Sequence, residues 1–158
     1  TVSESRVEMA QVMLPPDANP AGNIHGGSIM KLIDTAAGIV AMRHCRTNVV
    51  TAAMDRLDFY QPVFIGELVV LRASINYAGS TSLEVGVRVE AENLMTGNIR
   101  HTNSAYLTLV ALDENRRPTR VPDLVPETGE EKRRFEEGKA RAKRRKELRK
   151  RASRDTHV

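Results

Sequence analysis

The sequence predicts an α+β fold in which an antiparallel sheet wraps around one long central helix. Two observations carry this prediction. A single helix-length apolar stretch, from Ser28 to about Cys45, is followed by β-patterned segments separated by short reversals. Each kind of element then has one face to bury against the other. The 158 residues suit one domain, large enough to bury roughly two-thirds of the unfolded surface.

Each element has a local reason. An early strand, Arg6 to Leu14, is stopped by Pro15-Pro16-Asp17. A polar, glycine-rich loop, Ala21 to Gly27, then runs into the helix, for which Asn23 or Ser28 could serve as cap. Ile29, Met30, Leu32, Ile33, Ala36, Ala37, Ile39, Val40, Ala41 and Met42 cover most of the helix circumference, the mark of a buried helix. Ala36, Ala37 and Gly38 predict a close approach to its backbone. The β-rich stretch Val49–Met54 follows, with Pro62 and Gly66 in the next connection. Glu67–Tyr77, Leu83–Ala91 and Ile99–Leu112 alternate as strands. Ala78–Thr81 and Asn93–Asn98 read as hairpin connections. Asp113–Pro118 ends the sheet, and proline-spaced Val121–Pro126 is a connector, so the chain divides into a domain over 1–126 and a charged C-terminal helix or tail over 127–158.

Charge follows that division. The net +4 splits into 11 basic and 15 acidic side chains over residues 1–130, against 13 basic and 5 acidic over 131–158. The basic run from Arg141 to Arg151 invites a nucleic-acid or anionic-membrane reading. Its Lys, Arg, Glu and Ala content equally makes a solvated helix, with Phe135 and Leu148 as its only large apolar residues. No aromatics are interleaved for base stacking, so no nucleic-acid partner is expected. The segment beyond about Lys139 is expected to be an exposed, frayed helix dispensable for chemistry. No apolar run reaches the ~18 residues of a membrane span, the first residues lack a secretory-leader layout, and the lone Cys45 fits a reducing compartment. A cytoplasmic protein is expected. His44, His101 and His157 have no metal-ligand spacing, so no metal or separate cofactor is expected.

The loop–helix junction holds the candidate site. Gly26 and Gly27 at a helix start leave backbone N–H groups open, reinforced by the helix dipole. That suits an oxygen that becomes negative during reaction, such as an attacked thioester carbonyl. Asp34 lies two turns on, where a carboxylate among apolar residues is either structurally paired or employed as base or nucleophile. Asn23 is a cap or turn residue, or orients water or a carbonyl. His25 reads as a supporting group, and Gly26 and Gly27 as turn residues or oxyanion donors.

Gly22-Asn23-x-His25-Gly26-Gly27, Lys31-Leu32-x-Asp34-x-x-Ala37-Gly38 and Arg43-His44-Cys45 resemble the hotdog-fold acyl-CoA thioesterases of the cytosolic, brain-type group. Val49–Ala52, Asp58-Phe59, Gly66-Glu67, Ser82–Val85, Val121–Thr128 and residues 131–139 extend the likeness over roughly residues 9–140. The resemblance implies a hotdog fold and hydrolysis of acyl-CoA to free acid and CoA, with CoA as part of the substrate. It implies paired hotdogs, so a homodimer or a dimer-based oligomer such as a hexamer, each site taking Asn23 from one protomer and Asp34 from the other. Thr51 and Gly79-Ser80-Thr81-Ser82 are candidates for the CoA arm and phosphates, with Arg43, Arg56, Arg88 and Arg100 available to the phosphates. Two other readings compete. A non-catalytic acyl-CoA sensor acting through the basic tail would not need Asp34, and a hydratase would use His25 with Asp34 over a β-carbon.

Overall fold

The computed structural model describes residues 1–155. A four-residue helix α1 (Val2–Ser5) leads into β1 (Val7–Val12), and a 3-10 turn at Pro15–Asp17 precedes the long helix α2 (Gly26–Cys45). Strands β2 (Asn48–Phe59), β3 (Leu68–Ala78), β4 (Ser82–Glu92) and β5 (Ile99–Leu112) follow, and α3 (Gly129–Asp155) ends the described chain. The five strands form one antiparallel sheet in the order β1-β3-β4-β5-β2. The helix α2 touches all five strands. This is the hotdog arrangement, a sheet wrapped on one helix.

Alternation decides which side chains meet α2. Leu83, Val85, Val87, Val89 and Ala91 of β4 and Ala105, Leu107, Leu109 and Ala111 of β5 are buried, as are Ile29, Ile33, Ala36, Ala37, Val40 and Ala41 of α2. The core is aliphatic, as three Phe, three Tyr and no Trp require. The helix is not buried all round: Met30 and Met42 are 41% and 45% exposed and Asp34 is exposed. Its second apolar face lies beside the open edge strand β2, where Val50 and Phe59 are also exposed. The cap differs too. His25 holds the N-cap position without a side-chain bond, and the Ser28 hydroxyl reaches the Asp17 carbonyl at 3.4 Å instead.

The charged tail is one continuous helix fastened to the outer face of the sheet as far as Arg145, while residues 146–155 are exposed. Glu84 alternates away from the core strand positions yet is fully buried, because α3 lies over it. Arg141 clasps the Glu84 carboxylate at 2.6 to 3.2 Å and its guanidinium sits 4.0 Å from the Tyr106 ring centroid. Arg145 reaches Asp55 at 3.0 Å, and Thr108 donates to the same oxygen at 2.6 Å. Phe135 meets Tyr77 edge-on. Gly138 permits this approach, since a Cβ there would stand 2.8 Å from Tyr77 Cβ.

Candidate active site

The loop before α2 folds back on itself. Asn19 N–H donates to the Asn23 carbonyl at 2.9 Å, Gly22 N–H to the Asn19 carbonyl at 3.0 Å, and the Asn19 side chain accepts from Ala21 N–H at 3.0 Å. Ile24 N–H ties the loop to the Val63 carbonyl at 2.7 Å. His25 contributes backbone: its N–H donates to Asp17, and its carbonyl accepts from Ser28 and Ile29. Its side chain is exposed. The N–H groups of Gly26 and Gly27 belong to the first turn, which has no intrahelical acceptors for them. A Cβ at Gly27 would meet nothing within 4 Å, whereas Gly26 packs on the Phe59 ring.

These residues border a cavity of about 300 Å³ lined by Asn19, Asn23, Ile24, Gly26, Ile29, residues 59–63 and Asn103. Its outer wall is clamped. Arg100 donates both Nη groups to Glu67, at 2.7 and 2.8 Å, and one of them also to the Pro62 carbonyl at 3.1 Å. Glu67 in turn accepts from Phe64 N–H at 2.8 Å. Hydrogen bonding from Arg100 holds the Glu67 carboxyl below the usual carboxylate range, against the opposing effect of burial. Arg100 is therefore committed to the fold. The other arginines considered for phosphate also have internal partners: Arg43 the Arg6 carbonyl, Arg56 the Asp58 carboxylate and Arg88 the Glu90 carboxylate.

Asp34 does not line this cavity. It sits eight residues beyond Gly26, about 12 Å along the helix axis, and accepts a 2.6 Å hydrogen bond from the Thr51 hydroxyl. The Gly79–Ser82 turn is farther still. It closes the β3–β4 hairpin, Gly79 N–H donating to the Ser82 carbonyl at 2.8 Å, and borders a separate cavity with Tyr77, Arg120 and Asp123. From Ser82 to Val89, the β4 partner of Asn103, the strand covers roughly 23 Å. One chain thus brings together Asn23, Gly26 and the cavity, and separately Asp34 and Thr51, but not the two sets. Sequence reasoning missed Asn19, which reads as an ordinary turn residue between Pro16 and Pro20, and Asn103, an amide in an inward strand position. Burial pushes the Cys45 thiol up, against a nucleophilic role. Among the described residues, no three His, Cys, Asp or Glu side chains gather to hold a metal ion.

An antiparallel sheet on one helix, with an anion-suited helix start and a hydroxyl-held carboxylate, defines a hotdog protein with a hydrolase-like site. The family signature described as thioesterase superfamily matches residues 21–98. The uncharacterized acyl-CoA thioester hydrolase YkhA of Bacillus subtilis is 43% identical over 128 residues, 81% of this chain and 74% of its own length. The cytosolic acyl coenzyme A thioester hydrolase of Homo sapiens is 40% identical over 89% of this chain, and this chain spans only 38% of that protein's length. A hexameric acyl-CoA thioesterase solved without ligand superposes with a TM-score of 0.88 at 41% identity, covering 93% of this chain and 94% of the other. The acyl-CoA hydrolase of Staphylococcus aureus, solved with butyryl coenzyme A and coenzyme A, superposes with a TM-score of 0.88 at 33% identity over 99% and 95%. The chain belongs to the thioesterase superfamily, among the acyl-CoA thioester hydrolases.

Proposed function

We propose that this protein hydrolyses acyl-CoA thioesters to a free carboxylic acid and CoA, as a homodimer or a dimer-based oligomer in the cytoplasm. The observation that carries this reading is the carboxylate of Asp34, held by the Thr51 hydroxyl of β2, in a chain whose glycine helix start opens on a cavity. The thioester carbonyl lies against the Gly26 or Gly27 N–H, which stabilises the oxyanion as it forms. Asp34 of the partner subunit acts as base toward a water, or itself attacks the carbonyl carbon. Collapse of the tetrahedral species breaks the C–S bond. In the base route the CoA thiolate leaves with the proton the carboxylate took from water. In the nucleophilic route a water then hydrolyses the acyl–aspartyl anhydride, giving the free acid and the proton for the thiolate. A sensor that only binds acyl-CoA has no use for Asp34, and the inward pairing of Arg141 and Arg145 withdraws part of the charge such a tail would offer a partner.

The asparagine of this site is open between two residues. In the S. aureus hydrolase, alanine variants have been solved of an asparagine, of an aspartate fifteen residues further on and of a threonine seventeen residues beyond that. The same intervals here run from Asn19 to Asp34 to Thr51. Those spacings favour Asn19 as the amide that orients water or the carbonyl, with Asn23 as the competing candidate on the same cavity. For Thr51, its bond to Asp34 supports a carboxylate-positioning role ahead of a CoA contact, while Gly79–Ser82 remains the proposed CoA-arm turn, reached from a partner protomer. A thiol-release assay with acyl-CoA substrates of several chain lengths tests the reading. Release no faster than in buffer for every substrate overturns it.

A further inference from the structure

Asn103 forms part of the cavity at the start of α2. Strand β5 sends residues 105, 107, 109 and 111 into the aliphatic core, and Asn103 takes the next inward position. It is 1% exposed, and neither its Oδ1 nor its Nδ2 has a hydrogen-bond partner among the described residues. The nearby His101 ring is already engaged, its Nε2 meeting the Asn103 backbone carbonyl and the Ser104 hydroxyl, each at 2.8 Å. A buried amide unpaired at both ends is costly, and buried polar groups of this kind are rare unless something else pairs them. Two independent marks of a ligand contact coincide here, a cavity at the N-terminus of a 20-residue helix and an orphaned carboxamide on a residue of its lining.

We propose that Asn103 selects acyl chains bearing an oxygen near the thioester, so that hydroxyacyl- and oxoacyl-CoA are preferred over the plain hydrocarbon chain of equal length. The inference rests on the acyl-CoA reading above. With the thioester at the Gly26 N–H, the large polyanionic CoA must lie toward solvent. What passes Ile24, Ile29 and Val63, all at most 5% exposed, is the acyl group. A hydroxyl there accepts from Nδ2 and donates to Oδ1, and a keto oxygen accepts from Nδ2. A saturated chain would instead seal the amide under hydrocarbon, and sites built to pair a substrate oxygen reject the analogue lacking it. The cavity, about 300 Å³, stands at the small end of ligand pockets, which suits a short chain.

The test compares kcat/KM for 3-hydroxybutyryl-CoA and acetoacetyl-CoA with that for butyryl-CoA, in the parent protein and in Asn103→Leu, a variant of similar volume with no polar atom. The parent is expected to favour at least one oxygenated substrate by roughly tenfold or more. Asn103→Leu is expected to collapse or invert that ratio. Its Tm without substrate is expected to hold or rise, because no protein hydrogen bond is lost. If Asn103→Leu does not fold, the ratio in the parent decides. Equal rates on all three substrates, or a ratio unmoved by Asn103→Leu, overturn the selectivity while leaving the thioesterase reading intact. No turnover of any of the three overturns the activity itself, and the selectivity with it.

Discussion

Asp34 is exposed in the single chain, so its geometry depends on one hydroxyl, that of Thr51 at 2.6 Å. Asp34→Asn keeps the shape and the hydrogen-bonding capacity but removes the base, and is expected to lower kcat by ~10²-fold or more with Tm unchanged. Thr51→Ala leaves the carboxylate in place but free to rotate, and is expected to cost less in kcat than Asp34→Asn. Parent-like kcat in Asp34→Asn, measured by thiol release, would remove Asp34 from the chemistry. Alanine at Asn19 and at Asn23 separates the two amides: Asn19→Ala is expected to lose the larger share of kcat, and a larger loss in Asn23→Ala reverses the assignment. The site was legible in the sequence where its chemistry conflicts with its surroundings. A carboxylate in an apolar helix and two glycines at its start are such conflicts. Asn19 is consistent with a proline-flanked turn, and Asn103 with an alternating strand. What marks Asn103 is the failure of both amide ends to find a partner, and that depends on packing from β2, α2 and the loop between β2 and β3.

Two ion pairs between elements decide how firmly the sheet holds its neighbours. The Glu67–Arg100 pair locks the loop between β2 and β3, and with it the cavity wall. Because the folded Glu67 carboxyl is held below its ordinary range, its contribution is fully present above the unfolded value of ~4.3. It is lost as pH falls through the folded value. Glu67→Gln is expected to lower Tm at neutral pH and to flatten the Tm decline below about pH 4. A Tm-against-pH profile parallel to the parent's would exclude Glu67 as an acid-labile lock. The α3 clasp acts differently. Arg141→Met removes the main partner of the fully buried Glu84 carboxylate and leaves it Asn76 Nδ2 at 3.0 Å and Arg145 at 3.7 Å, so the loss is expected to stay below the ~3 kcal/mol of a fully broken buried pair. A deletion starting at Glu147 spares both clasp arginines and is expected to leave Tm and kcat near the parent, whereas one starting at Ala140 is expected to destabilise the fold. Equal Tm for the two deletions, by calorimetry, would show the clasp to be idle. The strands and α2 were legible because period-2 and period-3.6 patterns name the inward face directly. The docking of α3 was not, since its contacts are Arg141, Arg145, Gly138 and Phe135, a set that composition alone assigns to a solvated helix.

The whole molecule leaves its site divided. Gly26 and Asp34 lie about 12 Å apart along one rigid helix, so no rotamer change brings Asp34 to a thioester held at the Gly26 N–H. A second copy can. Strand β2 is an edge of the sheet, with unpaired backbone groups ready to accept another strand. Beside it Met30, Met42, Val50 and Phe59 are exposed, apolar area available to a second copy. Pairing two copies along this edge, as the proposed dimer requires, would let each chain offer its Asp34 to the partner's helix start and would build two equivalent sites. Two inactive variants, Asp34→Ala and Asn19→Ala, are expected to regain activity when mixed under conditions of subunit exchange, because a mixed dimer holds one site with both groups intact. At equal concentrations random exchange makes half of the dimers mixed, each with one of two sites restored, so recovery tends toward about a quarter of the parent rate. Sedimentation is expected to show no stable monomer at micromolar concentration. Confirmed exchange without recovery would mean that both groups act within one chain and that the helix-axis separation does not divide the site.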